Sequence, residues 1–137
     1  MNLLYLLKPK EEITYVSSDA TVRQGIEKMR EHGYTAVPVI NGKGEYVGTV
    51  SEGDFLWALT ESGSLKNTEK RPLSGIIRSK RDKAVTVGAS MDELLLMSME
   101  QNFVPVTDDR GKFIGIVTRR DIIRYFYDKE QKENGNE

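Results

Sequence analysis

The sequence predicts an α+β fold built from two similar units. Residues recur at a fixed offset of 67 positions, as between positions 37 and 104. The matches are Val37-Pro38-Val39 with Val104-Pro105-Val106, Gly48 with Gly115, Val50 with Val117, Ser51 with Thr118 and Asp54 with Asp121. Hydrophobic periodicity and turn residues predict the same order of elements, β-α-β-β-α, in both units. We therefore expect the units to pack sheet against sheet with pseudo-two-fold symmetry.

Each unit is predicted to begin with a short strand and an amphipathic helix. The strands are expected at Thr14–Val16 and Val85–Val87. Apolar residues at helical spacing are Val22, Ile26 and Met29 in the first unit and Met91, Leu94, Leu95 and Met99 in the second. The first helix is expected from about Thr21 to His32, with Gly33 as its C-cap. The candidate N-caps are Ser17, Ser18 and Asp19.

A hairpin and a second helix complete each unit. The hairpin strands are predicted at Ala36–Ile40 and Glu45–Val50, then at Val104–Thr107 and Phe113–Val117. The turns between them are Asn41-Gly42-Lys43-Gly44 and Asp108-Asp109-Arg110-Gly111. The closing helices are expected to start near Glu52 and Arg119.

These elements set the predicted domain boundaries. Residues 1–63 form the first unit with an N-terminal helix at Leu3–Leu7. Residues 64–72 form a polar linker, and residues 73–128 form the second unit, entered by a short helix at Leu73–Arg78. Residues 129–137 are charged and lack apolar side chains, so they predict a disordered tail.

Composition excludes several classes of protein. The formal net charge of −1 argues against nucleic-acid binding, which needs a basic surface. The absence of cysteine excludes disulfides, thiolate nucleophiles and cysteine-ligated zinc. No apolar stretch is long enough to span a membrane and no signal peptide is recognisable, so a cytoplasmic protein is expected. No acid–base pair, nucleophile–base pair or metal-ligand cluster is evident, which predicts a protein that is not an enzyme and has no cofactor.

Both units end in a G-x-h-[ST]-x-x-D motif, where h is an apolar residue. The motifs are residues 48–54 and 115–121, and a G-h-x-x-h-P motif precedes the first at residues 33–38. In the second unit that motif is shortened to Asn102-Phe103-Val104-Pro105. Two such units resemble the tandem CBS-domain (Bateman) module over about Ile13 to Tyr127. The resemblance implies a regulatory protein that binds an adenine nucleotide in the cleft between its units.

A narrower resemblance concerns the ligand. The segments GYTAVPV and GIVTRRD are similar to those of small stand-alone CBS-pair proteins that bind cyclic di-AMP in bacteria. The site residues implied are Tyr34, Thr35, Ala36, Thr118, Arg119 and Arg120. Asp121 follows the general pattern for the ribose of a mononucleotide, so AMP, ADP and ATP remain open.

These residue types suit the three parts of an adenine nucleotide. Thr118 and the two arginines after it can bind phosphate at a helix N-terminus. Asp121 can accept hydrogen bonds from ribose hydroxyls. Backbone groups of Thr35-Ala36 can pair with adenine, and Tyr34 or Pro38 can cover its face. Thr14 and Val16 of the first strand complete the predicted site.

A second, weaker site is predicted around the equivalent residues of the first unit. Its members are Ser51, Asp54, Val87, Phe103 and Pro105. Glu52 stands where the second unit has Arg119, and its carboxylate would repel phosphate. The alternative is that Ser51 and Thr118 are only N-caps, with Asp54 and Asp121 as first-turn acids.

Other features bear on partners. The runs Phe55–Leu59 and Ile122–Tyr127 are apolar on more than one helix face, which predicts a homodimer. A dimerising scaffold without nucleotide is the alternative function, and any signal is expected to act in trans on an unknown effector protein. His32 is expected at the end of a helix in a solvated or capping role. The basic run 78–83 is either a solvated connection or a docking patch for an acidic partner.

Overall fold

Two small sheets organise the chain. The computed structural model describes residues 2–77 and 82–135. Within it, four α-helices accompany a three-stranded and a four-stranded sheet. The predicted α+β class with two β-α-β-β-α repeats is confirmed.

The first repeat forms the three-stranded sheet. A two-residue strand, β1 (Lys8–Pro9), precedes it in the chain. The elements of the repeat are β2 (Val16–Ser17), α1 (Val22–His32), β3 (Ala36–Ile40), β4 (Tyr46–Ser51) and α2 (Glu52–Ser62). β3 lies between β2, which is parallel to it, and β4, which is antiparallel.

The N-cap of α1 differs from the prediction. Thr21 caps the helix, and the earlier candidates Ser17, Ser18 and Asp19 do not. The Thr21 hydroxyl accepts the amide of Gln24, and the Gln24 side chain accepts the amide of Thr21. This reciprocal capping box satisfies two backbone donors at once, which one upstream serine could not do. Gly33 ends the helix at φ +68°, as predicted.

The second repeat has the same topology and the same strand register. Its elements are β5 (Val85–Thr86), α3 (Met91–Ser98), β6 (Phe103–Thr107), β7 (Phe113–Thr118) and α4 (Arg119–Gly135). Val39 lies opposite Gly48 in the first hairpin, and Val106 lies opposite Gly115 in the second. Each hairpin has an irregularity directly after that pair. The fixed offset in the sequence therefore corresponds to a repeated backbone geometry.

The segment that precedes each repeat packs on the other repeat. Leu3 is fully buried in the core of the second repeat, and β1 pairs with β7 through Lys8 opposite Ile116. Leu73 is fully buried in the core of the first repeat. The predicted boundaries place both leucines in the repeat that follows them along the chain. The predicted entering helices are short 3-10 turns, Leu3–Tyr5 and Leu73–Ile76.

The end of the chain also differs from the prediction. α4 continues through Gly135, so the segment from residue 129 to that point is an exposed end of the helix. The first turns of α4 are anchored by the fully buried Ile122, and adding residues to an existing helix requires little further ordering. Lysine, glutamate and glutamine, which fill this segment, are good helix formers.

Tyr46 ties the two repeats together. Its hydroxyl donates to the backbone carbonyl of Asp82 at 2.5 Å and lies 2.7 Å from the Thr49 hydroxyl. Its ring stacks on Phe113 of the second repeat, with 6.3 Å between ring centroids. Burial raises the pKa of the Tyr46 phenol, so the group remains a hydrogen-bond donor throughout the physiological range.

We expect Tyr46→Phe to lower the free energy of unfolding by about 1 kcal/mol, the net contribution of one such hydrogen bond. The ring contact with Phe113 is retained, so the fold should remain. Chemical denaturation measures the change. Tyr5→Phe is the control, because that side chain is 78% exposed and should have no effect. An unchanged unfolding midpoint for Tyr46→Phe would contradict this interpretation of the link.

Candidate functional site

Two cavities lie where the repeats meet. The first cavity has a volume of about 230 Å³ and is lined by Lys8, Glu12, Ile13, Thr14, Tyr34, Thr35, Ala36, Val37, Pro38, Asn102, Phe103, Ile116 and Thr118. The second cavity has a volume of about 540 Å³ and is lined by Thr35, Ala36, Ser51, Asp82, Lys83, Leu96, Met97, Glu100, Gln101, Asn102 and Phe103. Both cavities share Thr35-Ala36 and Asn102-Phe103, which are equivalent positions of the two repeats.

The first cavity brings together most residues of the main predicted site. Thr14, Tyr34, Thr35, Ala36, Pro38 and Thr118 all line it. They come from the segment before β2, from the start of β3 and from the end of β7. The antiparallel register places Phe103 opposite Thr118, so the second hairpin closes the cavity against the first.

Four predicted residues lie elsewhere. Val16 is buried in the core of the first repeat. The Nε of Arg119 donates to the carbonyl of Ser98 at 2.6 Å, so its guanidinium is engaged at the end of α3. Arg120 is exposed in the first turn of α4. Asp121 lines a separate groove beside Leu6.

The end of β7 explains the placement of the two arginines. The hydroxyl of Thr118 accepts the amide of Asp121 at 3.2 Å, which is an N-cap interaction. Adjacent residues on a helix point about 100° apart, so a cap that faces the cavity turns Arg119 and Arg120 away from it. The capping role considered as an alternative is thus present at Thr118, and the same residue also lines the first cavity.

The residues of the predicted weaker site also lie in different places in the structure. Ser51 and Phe103 line the second cavity. Asp54 is 5% exposed, and its carboxylate accepts the Ser51 amide at 2.9 Å and the Ser51 hydroxyl at 3.0 Å. These two residues form a capping box at the start of α2. Val87 is exposed away from the described cavities, and Pro105 is buried in β6.

Lys8 is a cavity residue that sequence reasoning missed. Lys8 lines the first cavity because β1 pairs with β7 at the edge of the second sheet. The run Lys-Pro-Lys at positions 8–10 gives no sign of a strand that joins the distant repeat. Lys8 forms no ion pair with any other residue in the described ranges 2–77 and 82–135.

Gln101 is a second missed residue, and its role is structural. Its side-chain oxygen accepts the Lys83 amide at 3.1 Å. Its side-chain nitrogen donates to the carbonyls of Lys83 at 3.1 Å and Phe103 at 3.2 Å. These bonds hold the chain before β5 against the start of β6, so one wall of the second cavity is fixed by Gln101.

The first cavity has the surfaces that a nucleotide base and an anion require. Ala36, Val37, Pro38 and Phe103 provide apolar walls, and Thr35 and Thr118 provide hydroxyls. Lys8 provides positive charge, partly offset by Glu12 on the same lining. Tyr34 stands at the rim with its ring stacked on His32, at 6.1 Å between centroids. A flat, partly apolar ligand with an anionic group fits these surfaces.

Two features of residues 2–77 and 82–135 bear on other functions. No group of three or more histidine, aspartate and glutamate side chains there could hold a metal ion. No helix in those ranges combines the length and hydropathy needed to cross a bilayer. Of the basic run 78–83, residues 78–81 lie outside the described residues.

Comparison with known proteins identifies the family. The CBS domain model matches residues 7–61 and 71–128. The chain belongs to the CBS domain family. Among curated relatives, the uncharacterized protein MK0525 of Methanopyrus kandleri is 32% identical over 99 residues, which are 71% of this chain and 49% of that protein. This chain thus spans about half the length of that relative.

Solved structures share the CBS-pair fold. CbpB in complex with cyclic di-AMP superposes with a TM-score of 0.87 at 19% identity, covering 100% of this chain and 91% of that one. CBSX2 in complex with AMP superposes with a TM-score of 0.74 at 24% identity, covering 94% and 98%. At these identities the likeness establishes the fold.

Proposed function

We propose that this protein is a non-catalytic regulator that binds an adenine nucleotide in the first cavity. The observation that supports this most is the convergence of Thr14, Tyr34, Thr35, Ala36, Pro38 and Thr118 on one cavity. Structural relatives solved with cyclic di-AMP and with AMP add support from outside the chain.

The proposed binding mode follows from the lining. Adenine lies against Ala36 and Pro38, and backbone groups at Thr35-Ala36 pair with its polar edge. Tyr34, 47% exposed at the rim, covers the base. The phosphate lies towards Thr118 and Lys8, where a hydroxyl and an ammonium group can donate to it.

The residues that line both cavities bear on which nucleotide binds. Thr35, Ala36, Asn102 and Phe103 line both cavities, so a dinucleotide can contact both halves of the cleft. A mononucleotide needs only the first cavity. Cyclic di-AMP is therefore one candidate, and AMP, ADP and ATP are the others.

Calorimetric titration with these four nucleotides tests the proposal, with cyclic di-GMP and GMP as controls. We expect at least one adenine nucleotide to bind at least tenfold more tightly than its guanine counterpart, a difference of about 1.4 kcal/mol. Mass spectrometry of the recovered ligand should show it unchanged, as expected for a protein without catalysis. Equal binding of adenine and guanine nucleotides, binding of none, or turnover of the ligand would overturn the proposal.

The output of binding is proposed to act on other proteins. Ordering of the cleft by nucleotide would change the relative positions of the two repeats and so the affinity for a cytoplasmic effector. Leu56, Trp57, Ile123 and Tyr127 are large exposed apolar side chains on α2 and α4, which favours a homodimer. The same exposure favours the second candidate, a dimerising scaffold without nucleotide, which the titration distinguishes.

A further inference from the structure

Gln101 bridges a set of backbone groups at the wall of the second cavity. The residue is 8% exposed and lines that cavity together with Lys83 and Phe103. Its side-chain oxygen accepts the Lys83 amide, and its side-chain nitrogen donates to the carbonyls of Lys83 and Phe103. We call this amide and these two carbonyls the second edge. One side chain therefore occupies all three groups of the second edge.

The strand ladder does not satisfy the second edge by itself. β5 is parallel to β6 and sets Val85 opposite Val106. If that register continued two residues back, the Lys83 carbonyl would accept the amide of residue 105. Pro105 has no amide hydrogen, so the carbonyl needs another donor, which can be a side chain, a water molecule or a ligand. Gln101 supplies that donor from within the chain.

Tyr34 holds the position of the first repeat that corresponds to Gln101. Each lies two residues before the first residue of its strand, Ala36 in β3 and Phe103 in β6. The two side chains differ in where they lie. Tyr34 is 47% exposed and its ring stacks on His32, whereas the Gln101 side chain is buried against the second edge.

The corresponding edge of the first repeat is open. It consists of the Thr14 amide and the carbonyls of Thr14 and Ala36, and both residues line the first cavity. β2 is parallel to β3 with Val16 opposite Val39, so the ladder partner of the Thr14 carbonyl would be Pro38, which again has no amide hydrogen. In the part of the chain that the structure describes, no hydrogen bond reaches the Thr14 backbone. The same edge is thus occupied in one cavity and open to a ligand in the other.

A glutamine side chain and adenine offer such an edge the same hydrogen-bonding groups. The carboxamide of glutamine places an acceptor oxygen beside a donor nitrogen. Adenine places its N1 acceptor beside its N6 amino donor along one side of the ring. Guanine has the opposite pattern, a donor at N1 beside the acceptor O6. An edge that presents an amide and two carbonyls therefore suits a carboxamide or adenine and does not suit guanine.

We infer that the Gln101 side chain takes the place of a base at the second edge and so closes the second cavity to adenine. The inference rests on the adenine class of ligand proposed above, and it adds that only the first of the two edges is available to a base. Gln101 is part of the same chain, so a nucleotide would have to displace a competitor that is present at a high effective concentration.

Charge is the competing explanation for a closed second cavity. The lining of this cavity includes Asp82 and Glu100, whose carboxylates would repel a phosphate. If charge alone closed the cavity, removal of a carboxylate would admit a nucleotide and removal of the Gln101 side chain would not. The two explanations therefore predict opposite results for substitutions at adjacent positions.

Binding of AMP to Gln101→Ala tests the inference. Equilibrium dialysis counts the AMP bound per chain, and heteronuclear NMR follows the Lys83 amide in the second cavity and the Thr14 amide in the first. In the wild type we expect the Thr14 amide to respond to AMP and the Lys83 amide not to respond. In Gln101→Ala we expect the Lys83 amide to respond as well, with one further AMP bound per chain. GMP should bind the opened cavity at least tenfold more weakly than AMP.

Two further variants complete the experiment. Glu100→Ala removes a carboxylate from the same cavity and keeps Gln101, so it should bind no more AMP than the wild type. Gln101→Tyr gives the second repeat the residue that the first repeat has at the equivalent position, and it should also admit one further AMP. If thermal melting shows that Gln101→Ala does not fold, Gln101→Tyr takes its place.

Several results would overturn the inference. They are a Lys83 amide that responds to AMP in the wild type, a folded Gln101 variant that gains no AMP, an equal gain in Glu100→Ala, and binding of GMP in the opened cavity as tight as that of AMP. The Thr14 amide reports on the proposed function separately. If it never responded while Gln101→Ala bound AMP beside Lys83, the proposed function would fail and this inference would stand.

Discussion

Gly115→Ala is expected to detach the N-terminal strand and to destabilise the whole protein. Gly115 has φ +157°, a conformation that side chains rarely adopt. A Cβ built there would lie 2.2 Å from the carbonyl oxygen of Lys8, which belongs to β1. Strain and collision together should cost roughly 3 kcal/mol, or about 10 °C in melting temperature.

The position of the collision makes the effect specific. β1 can relieve it only by moving away from β7, and Leu3 would then lose its buried place in the second core. Hydrogen exchange should therefore show lost protection at β1 while the first repeat stays protected. Lys8 would also leave the first cavity, so nucleotide affinity should fall together with stability.

Substitutions of two other glycines distinguish the effect of backbone strain from that of a collision with the added Cβ. Gly111 has φ +81° with no atom closer than 4.0 Å to an added Cβ, so Gly111→Ala introduces strain alone, about 1 kcal/mol. Gly88 has neither a strained φ nor an atom within 4 Å, so Gly88→Ala should change stability by less than about 0.5 kcal/mol. If Gly115→Ala were no worse than Gly111→Ala, the close contact with β1 would not be a determinant of the fold.

The repeats made most of the architecture predictable. Matches such as Asp54 with Asp121 fixed the order of elements in both units, because repeated sequence folds into repeated supersecondary structure. The hairpins were predictable to within a residue or two since Asn41 and Asp108 begin recognisable turns, each accepting backbone amides two and four residues later.

The packing of the segment before each repeat on the other repeat was not predictable from the sequence pattern alone. Leu3 and Leu73 are apolar residues in short segments, and any free sheet edge with an open core could accept them. Which repeat does so depends on the three-dimensional path of the chain between them. The position of Lys8 in the first cavity follows from the packing of the N-terminal segment on the second repeat. It was not predictable for the same reason.

The site was predictable in its strand residues and not in its helix residues. Ala36 and Thr118 are held by the hairpin registers, Tyr34 and Thr35 directly precede β3, and all four line the first cavity. The orientations of Arg119 and Arg120 depend on where the first turn of α4 points. Since Thr118 caps that turn, the two arginines diverge from the cavity, and Arg119 instead bonds the end of α3.

Lys8→Ala is expected to weaken nucleotide binding ten- to a hundredfold. A hydrogen bond to a charged group contributes roughly 1.5–3 kcal/mol, which corresponds to that range of affinity. Lys8 is exposed, so stability should change by less than about 0.5 kcal/mol. Calorimetry measures affinity and thermal melting measures stability. Lys8→Arg should retain most of the affinity, and the affinity of the wild type should fall as salt rises.

Substitutions of other basic residues show whether the loss of affinity is specific to the cavity or results from the loss of any positive charge. Lys10 lies two residues further along and does not line the first cavity, so Lys10→Ala should bind within about twofold of the wild type. Arg119→Ala should lower stability through the lost bond to Ser98 and leave affinity nearly unchanged. Arg120→Ala should alter neither strongly. The opposite result would be normal binding by Lys8→Ala with a tenfold loss of affinity in Arg119→Ala or Arg120→Ala. It would show that the phosphate binds at the start of α4, as the sequence motif alone predicts.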